Sequence, residues 1–255
     1  MKPIRPFLFL IYLTLAVNLS AQPAGPSPYR TSLRIDAPLS SGLLGISLSG
    51  HWYQSRIPAL EQSALLQLNR QQIWAFDRSA SLAWRPQAAF SSDIGLLAGL
   101  ASPVLLLASA RVRSHWSQHL LLWSQTLFMV DGVTTWVKAL TLRNRPFNYY
   151  YAANYPNNIP ADLAENVVGN DARFSFFSGH TSYAAAGTFF LAQSFNDYYP
   201  DSPFRPWVWA GAALLPAVVG FLRVRAGKHY PSDVIVGYLV GAAIGMTIPL
   251  LHSRN

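Results

Sequence analysis

The chain contains no cysteine, which at once excludes disulfides, thiolate metal sites and cysteine nucleophiles. Charge is scarce as well: Asp, Glu, Lys and Arg together make up 12% of the 255 residues, about half the share usual in a soluble domain. Acidic residues are the scarcer sign, 11 against 19 Lys and Arg, for a formal net charge of +8. No basic run or stripe accompanies that surplus, so nucleic acid is not an expected partner. An anionic substrate or an anionic membrane surface accounts for it instead. Low-complexity segments and internal repeats are also missing. What the chain has in quantity is apolar and aromatic surface, with 51% hydrophobic residues, 8 Trp and 12 Tyr. That balance suits a protein with many ring positions at a lipid–water boundary.

Lys2 and Arg5 precede an apolar run over residues 7–19, and Ser20-Ala21 follow it. This pattern reads as a signal peptide or N-terminal anchor over residues 1–21, with Leu19 standing where cleavage prefers a small side chain. Residues 22–90 read as a linker followed by an amphipathic, interfacial N-terminal region. Within it, residues 22–35 are rich in Pro, Ser and Gly. Residues 39–53 are apolar but interrupted by Gly42, Gly45 and Gly50, as expected of a thin span, a re-entrant piece or an interfacial helix. Residues 54–89 alternate Ile57, Leu60, Leu65, Leu68, Ile73 and Phe76 with Arg, Gln and Asn, which predicts helices lying on a membrane or a bundle.

Residues 91–255 form the main domain. Apolar stretches at 94–110, 120–142, 181–195, 207–222 and 234–251 approach the ~17–25 residues needed to cross a bilayer. The expected fold is all-α, a polytopic membrane helical bundle with about five to six transmembrane helices. In the last stretch Gly237, Gly241 and Gly245 recur every fourth residue, a small-residue face that permits close helix packing. A polar, aromatic-rich loop over 147–174, holding Tyr149, Tyr150, Tyr151, Tyr155, Asp162, Glu165 and Asp171, reads as a lid or headgroup surface, or as interfacial packing.

The chemistry is concentrated in three clusters: Lys138-x6-Arg145-Pro146, Phe177-Ser178-Gly179-His180 and Arg223-x5-His229-x3-Asp233. They place cations, histidines and an acid in otherwise apolar surroundings, where charge is costly and usually functional. Lys138 falls near the end of one apolar stretch and Ser178 is a natural N-cap for the next, leaving backbone N–H groups of Gly179 and His180 for an anion. Arg223 ends a further stretch, and His229 and Asp233 border the last. If successive helices run antiparallel, all three clusters meet at one end of the bundle. Lys and Arg donors stabilise a phosphoryl group during transfer. An imidazole can attack phosphorus while an acid on its other nitrogen fixes the tautomer. A second imidazole can protonate the leaving alkoxide. No metal-ligand spacing is present and no cofactor is called for. His51, His115, His119 and His252 read as packed or interfacial residues. Asp131, about two turns before Lys138 on the same helix face, reads either as a partner of Lys138 or as a hydrogen-bond acceptor for a neighbouring helix.

In order and spacing the clusters resemble the signature of the type 2 phosphatidic acid phosphatase superfamily, Lys-x6-Arg-Pro, Pro-Ser-Gly-His and Ser-Arg-x5-His-x3-Asp. The resemblance covers residues 138–233 and departs at Phe177, in place of proline, and at Leu222, in place of serine. It implies an integral-membrane lipid phosphatase with His229 as nucleophile, Asp233 as its orienting partner and His180 as general acid. Lys138, Arg145, Ser178, Gly179 and Arg223 would hold the phosphate, with no metal. The implied partners are a membrane and a phospholipid or polyprenyl phosphate: phosphatidate, phosphatidylglycerophosphate, polyprenyl diphosphate and a lipid A phosphate are all open. Other readings are a vanadium-dependent haloperoxidase-like enzyme, which shares such an anion pocket, and a non-catalytic phospholipid-binding or transport component. Arg111 and Arg113 in a short turn favour a bacterial inner-membrane protein whose clusters face the periplasm; Arg143, Arg225 and Lys228 at the cluster end argue the other way unless phosphate binding accounts for them. That arrangement holds if residues 39–53 do not span; if they do, with residue 22 outside, parity turns the clusters inward.

Overall fold

The computed structural model describes residues 25–254, apart from Ala83 and Asn158. The segment read as a signal peptide or anchor lies outside the described residues. In chain order the α-helices are α1 (Leu33–Ser55), α2 (Gln62–Leu66), α3 (Pro86–Leu105), α4 (Ala110–Arg113), α5 (Trp116–Thr141), α6 (Pro146–Asn154), α7 (Ala161–Val168), α8 (Gly179–Tyr198), α9 (Arg205–Arg225) and α10 (Pro231–Leu251). The fold is an all-α bundle; among the described residues the only β pairing is an isolated bridge between Tyr29 and Ser253.

Local chemistry sets the helix ends nearest the clusters. Proline occupies the first turn of α3, α6, α9 and α10, where its missing N–H costs nothing and its fixed φ suits the helix. The Ser178 hydroxyl caps α8 by accepting from the Thr181 amide at 3.4 Å, as expected of an N-cap serine. Leu142, with φ of 46°, stops α5 in the left-handed conformation. The chain then turns away just after Lys138.

α8 is the hub. Its buried face is built from Ser182, Ala184, Ala185, Ala186 and Gly187, and it packs against α3, α5, α9 and α10. The glycine face of α10 lies directly on it: a Cβ at Gly237 would sit 2.6 Å from the Ser178 carbonyl oxygen, and one at Gly245 2.5 Å from that of Ala186. The expected small-residue packing thus brings two backbones together.

α1 runs parallel to α5, since Gln125 reaches Asp36, Asp131 meets Ser47 and Gln54 reaches the Thr135 carbonyl. α1, α5 and α9 therefore point toward the end where the clusters meet, while α3, α8 and α10 point away from it. At the opposite end the Arg30 amide donates to the His252 carbonyl (2.7 Å) and the Arg254 amide to that of Pro28 (2.9 Å). The protein is an integral-membrane bundle: Pro86–Ala108, α9 and α10 are each long and apolar enough to cross a bilayer, and Leu97, Leu214, Phe221 and Leu239 point outward on them. α1 is a continuous helix of 23 residues, about 35 Å long at 1.5 Å per residue. Residues 39–53 are accordingly not re-entrant. Gly50 is a contact point rather than a break, its Cα facing Thr135.

The expected helices over 54–89 shrink to α2 and two 3₁₀ turns, Arg70–Gln72 and Arg78–Leu82. Their apolar residues are used in irregular packing at the cluster end. Leu65 joins Phe147, Tyr151, Leu163 and Val167 from α6 and α7 in one apolar core. Ile73 and Ala80 pack on Tyr230. The loop over 147–174 is thereby half helical and forms a cap with the N-terminal strap.

Candidate active site

The three clusters meet. Arg145, only 4% exposed, leaves α5 and crosses to the third cluster. There its Nη1 donates to His229 Nε2 and to the Lys228 carbonyl, both at 3.0 Å. Its other edge is held by Asp171, through the carboxylate at 2.8 Å and the backbone carbonyl at 2.9 Å. The left-handed turn at Gly227, with φ of 72°, carries the chain from Arg223 to His229, and the Gly227 carbonyl is tied to the Phe147 amide at 3.0 Å.

His229 is buried, and its two ring nitrogens are distinguished by their partners. Nδ1 lies 2.8 Å from the Ser175 carbonyl, which can only accept, so Nδ1 carries the proton. Nε2 is then left with a lone pair, directed at the Arg145 guanidinium. Burial, followed by the positive charges of Arg145, Arg223 and Lys138, pushes the imidazole well below its ordinary range. At neutral pH it is therefore the neutral Nδ1–H tautomer, its unprotonated Nε2 accepting from Arg145 within the cationic cluster.

Asp233 differs from the sequence-based expectation. It stands 3.6 Å from His229 Nδ1, beyond hydrogen-bond range. Instead it accepts from the Ser175 hydroxyl at 2.6 Å and from the Tyr230 amide at 2.9 Å. The acid thus orients the histidine indirectly, by fixing Ser175, whose carbonyl takes the Nδ1 proton. Its own backbone carbonyl accepts from the Ser178 amide at 3.0 Å, joining the second and third clusters.

Lys138 reaches the start of α8: its Nζ would lie 3.3 Å from a Cβ at Gly179, so a side chain there would press on the ammonium. Arg223 is buried on α9, with Nη1 3.2 Å from the Ser92 hydroxyl. Its Nε is a buried donor with no hydrogen-bond partner among the described residues. The first-turn amides of α8 bring the positive end of a helix to the same place. Lys228 adds a further cation, pushed down to about 8 by burial and by its neighbours Arg145 and Arg223.

Sequence reasoning missed Asp93 and Asp77, and read Arg143 only as a cation of the cluster end. Asp93, in the second turn of α3, lies 2.8 Å from His180 Nε2 and 3.5 Å from Arg223. It stands one residue ahead of an apolar stretch, and that lone acid was the available signal. Arg143, inside the first cluster, bridges Asp233 at 2.5 Å and Asp77 at 2.7 Å. Asp77 comes from the irregular strap, where no periodicity marks it. Asp131 does not join the site: it accepts from Ser47, His51 and Tyr183, the acceptor reading rather than the Lys138 pairing. His115, His119 and His252 also have packing partners, in the Gly25 carbonyl, the Pro103 carbonyl and Asp36.

Comparison with known proteins places this constellation. The family model of the PAP2 superfamily matches residues 119–255. Human phospholipid phosphatase 2 is 38% identical over 88 residues, 33% of this chain and 28% of that protein. Phosphatidylglycerophosphatase B of Haemophilus influenzae is 27% identical over 158 residues, 52% of this chain and 65% of that protein. Human phospholipid phosphatase-related protein type 4 is 29% identical over 91 residues, 12% of its length. The chain thus spans less than two thirds of each of these relatives, and no solved structure matches it.

Proposed function

We propose that this chain, which belongs to the PAP2 superfamily, is a membrane phosphatase that removes phosphate from a lipid phosphomonoester or diphosphate through a phosphohistidine, without a metal. The observation that carries this reading is the His229 tautomer: Nδ1–H held by Ser175 and a bare Nε2 facing Arg145. A nucleophilic nitrogen among phosphate-binding cations is what phosphoryl transfer requires.

In the proposed reaction the substrate phosphate takes Arg145, Arg223, Lys138 and the Gly179 and His180 amides as donors, with Ser178 setting the start of α8. The unpartnered Arg223 Nε supports that role. The Nε2 lone pair of His229 attacks phosphorus, a P–N bond forms, and the P–O bond to the lipid breaks. His180 gives its proton to the departing oxygen. Burial and the Arg223 charge disfavour a protonated His180 ring; Asp93 on its Nε2 opposes them, and the negative phosphate adds to that before the step. Water then attacks the phosphohistidine, His180 takes its proton, and inorganic phosphate leaves with His229 restored. Ser175 and Asp233 hold the nucleophile throughout.

The reading that the substrate is a lipid is supported by the position of the clusters at one end of a bundle with membrane-length apolar helices and by relatives named phospholipid phosphatase and phosphatidylglycerophosphatase. Phosphatidylglycerophosphate is the first candidate to assay, given the name of the Haemophilus relative. We place the site on the periplasmic face of a bacterial inner membrane. Arg30, Arg34, Arg111, Arg113 and Arg254 lie at the opposite end, where the positive-inside tendency puts the cytoplasm once the cations of the cluster end, Arg225 and Lys228 among them, are assigned to phosphate binding. An exported residue 22 would fit this sidedness only if α1 does not cross the membrane, and α1 is not among the helices long and apolar enough to do so. A fluorescent-protein fusion at the C-terminus tests it: fluorescence supports a periplasmic site, and its loss with active alkaline phosphatase fused at the same point refutes it. The activity is tested by phosphate release from a panel of lipid phosphates in EDTA, with His229→Ala alongside. Release by wild type alone supports the reading. Release that needs added metal, or that survives in the variant, refutes it.

A further inference from the structure

Among the described residues, the most deeply buried acid outside the reaction just described is Asp77, in the strap between α2 and α3. It is fully buried, which is costly for a carboxylate unless its acceptor sites are used. They are used by the segment that follows the nucleophile: Asp77 accepts from the Ser232 amide at 2.9 Å and the Ser232 hydroxyl at 2.6 Å. Arg143 gives it a third donor at 2.7 Å. Ser232 lies in the first turn of α10, whose amides have no partner within the helix, so Asp77 caps α10 from another part of the chain.

Arg143 extends the connection inward. Its guanidinium stacks over the Tyr230 ring at 4.0 Å and donates to Ser232 at 2.8 Å and to Asp233 at 2.5 Å. Asp233 holds Ser175, and Ser175 holds His229 Nδ1. The polar chain Asp77–Arg143–Asp233–Ser175–His229 is therefore continuous from the strap to the nucleophile. Its first member falls outside residues 119–255, the part matched by the family.

We infer that Asp77 is a positioning residue for His229: the N-terminal strap, through Asp77, Arg143 and Ser232, holds the His229–Asp233 segment in the register that keeps Nε2 bare. The inference rests on the phosphatase reading for its kinetic consequence but not for its structural one, so the two are tested separately. In the kinetic arm, Asp77→Asn lowers kcat at least 10-fold on the best lipid phosphate and leaves KM within 2-fold. Arg143→Met is equally impaired, and the double variant is no worse than Arg143→Met alone. Ser232→Ala, which removes the hydroxyl that donates to Asp77 and accepts from Arg143 but keeps the Ser232 amide and the Asp77–Arg143 pair, is the gentler change and gives a smaller fall in kcat of the same kind.

The structural arm uses ¹⁵N-histidine NMR of the unliganded protein, with the His229 signals assigned by their loss in His229→Gln. Wild type shows one protonated Nδ1 and one bare Nε2, whereas Asp77→Asn and Ser232→Ala show mixed tautomers or a broadened resonance. This readout holds even if no lipid is turned over, which would sink the phosphatase reading alone. Folded variants with an unchanged His229 signal and wild-type kcat would overturn the inference. So would a fall in thermal stability with both readouts unchanged, which would make Asp77 a clip for the strap and nothing more.

Discussion

Adding one methyl group at Gly237 tests whether the α8–α10 contact holds the site together. Its Cβ would lie 2.6 Å from the Ser178 carbonyl oxygen, against 3.4 Å where ordinary contact begins, so the helices must part by about 0.8 Å or strain. Two opposing terms follow from Gly237→Ala. Alanine favours the helix by about 1 kcal/mol, while overpacking costs about 1–3 kcal/mol. The expected net is a loss of about 0–2 kcal/mol, read as a Tm lower by up to a few degrees. Activity should suffer more, because Ser178 both caps α8 and donates its amide to the Asp233 carbonyl. A displacement approaching 1 Å at a reacting geometry can cost on the order of 100-fold in kcat. Phosphate release and thermal unfolding would be compared with Gly211→Ala, where a Cβ meets nothing within 4 Å and the helix gain should stand alone. A Gly237→Ala protein more stable than wild type, with full kcat, would refute the reasoning.

Three further outcomes are expected. Because burial and the surrounding cations hold His229 below its ordinary range, it stays neutral as pH falls through 6.5, so the acid limb of kcat/KM should lie below pH 6.5; a limb above that value would contradict the buried cationic site. Asp93→Asn removes the carboxylate from His180 and Arg223 and should lower kcat by about 10–100-fold, the general-acid contribution. The loss should be smallest for an aryl phosphate, whose leaving group needs no proton, and an equal loss on all substrates would argue against the assigned role. His252→Ala removes a 2.8 Å partner of buried Asp36 at the far end and should cost about 1–3 kcal/mol of stability, with kcat unchanged in a parallel assay.

The parts of the fold and site that were legible in the sequence share one cause. Lys138, Arg145, Ser178, His180, Arg223, His229 and Asp233 stand out because polar residues at fixed spacing interrupt apolar helices, and alternating helix direction then brings them to one end. The α10 glycines were readable for a similar reason, as a period on an otherwise uniform face. Asp77 and Arg143 were not, because their partners come from distant, irregular segments where no spacing constrains them. Asp93 was passed over as the edge of an apolar stretch. The Ser175 carbonyl, which fixes the nucleophile's tautomer, is backbone and leaves no trace in residue type. The strap misled for a different reason: Leu65 and Ile73 recur as on a helix, but they pack into separate cores on either side of short turns.

The glycine face of α10 also bears on how such a protein can change over time. Where backbone rests on backbone, no side chain can rotate or be exchanged to relax the contact, so the donors at the start of α8 hold their place before any lipid arrives. Little reorganisation energy is left for the chemical step. The cap formed by α6, α7 and the strap is joined both by backbone, as between the Phe147 amide and the Gly227 carbonyl, and by side chains such as Arg145 and Asp77. The segment around His229 therefore depends on the bundle and the cap together, through Arg145 on one side and Asp77 and Arg143 on the other, and a change in either is felt by the other.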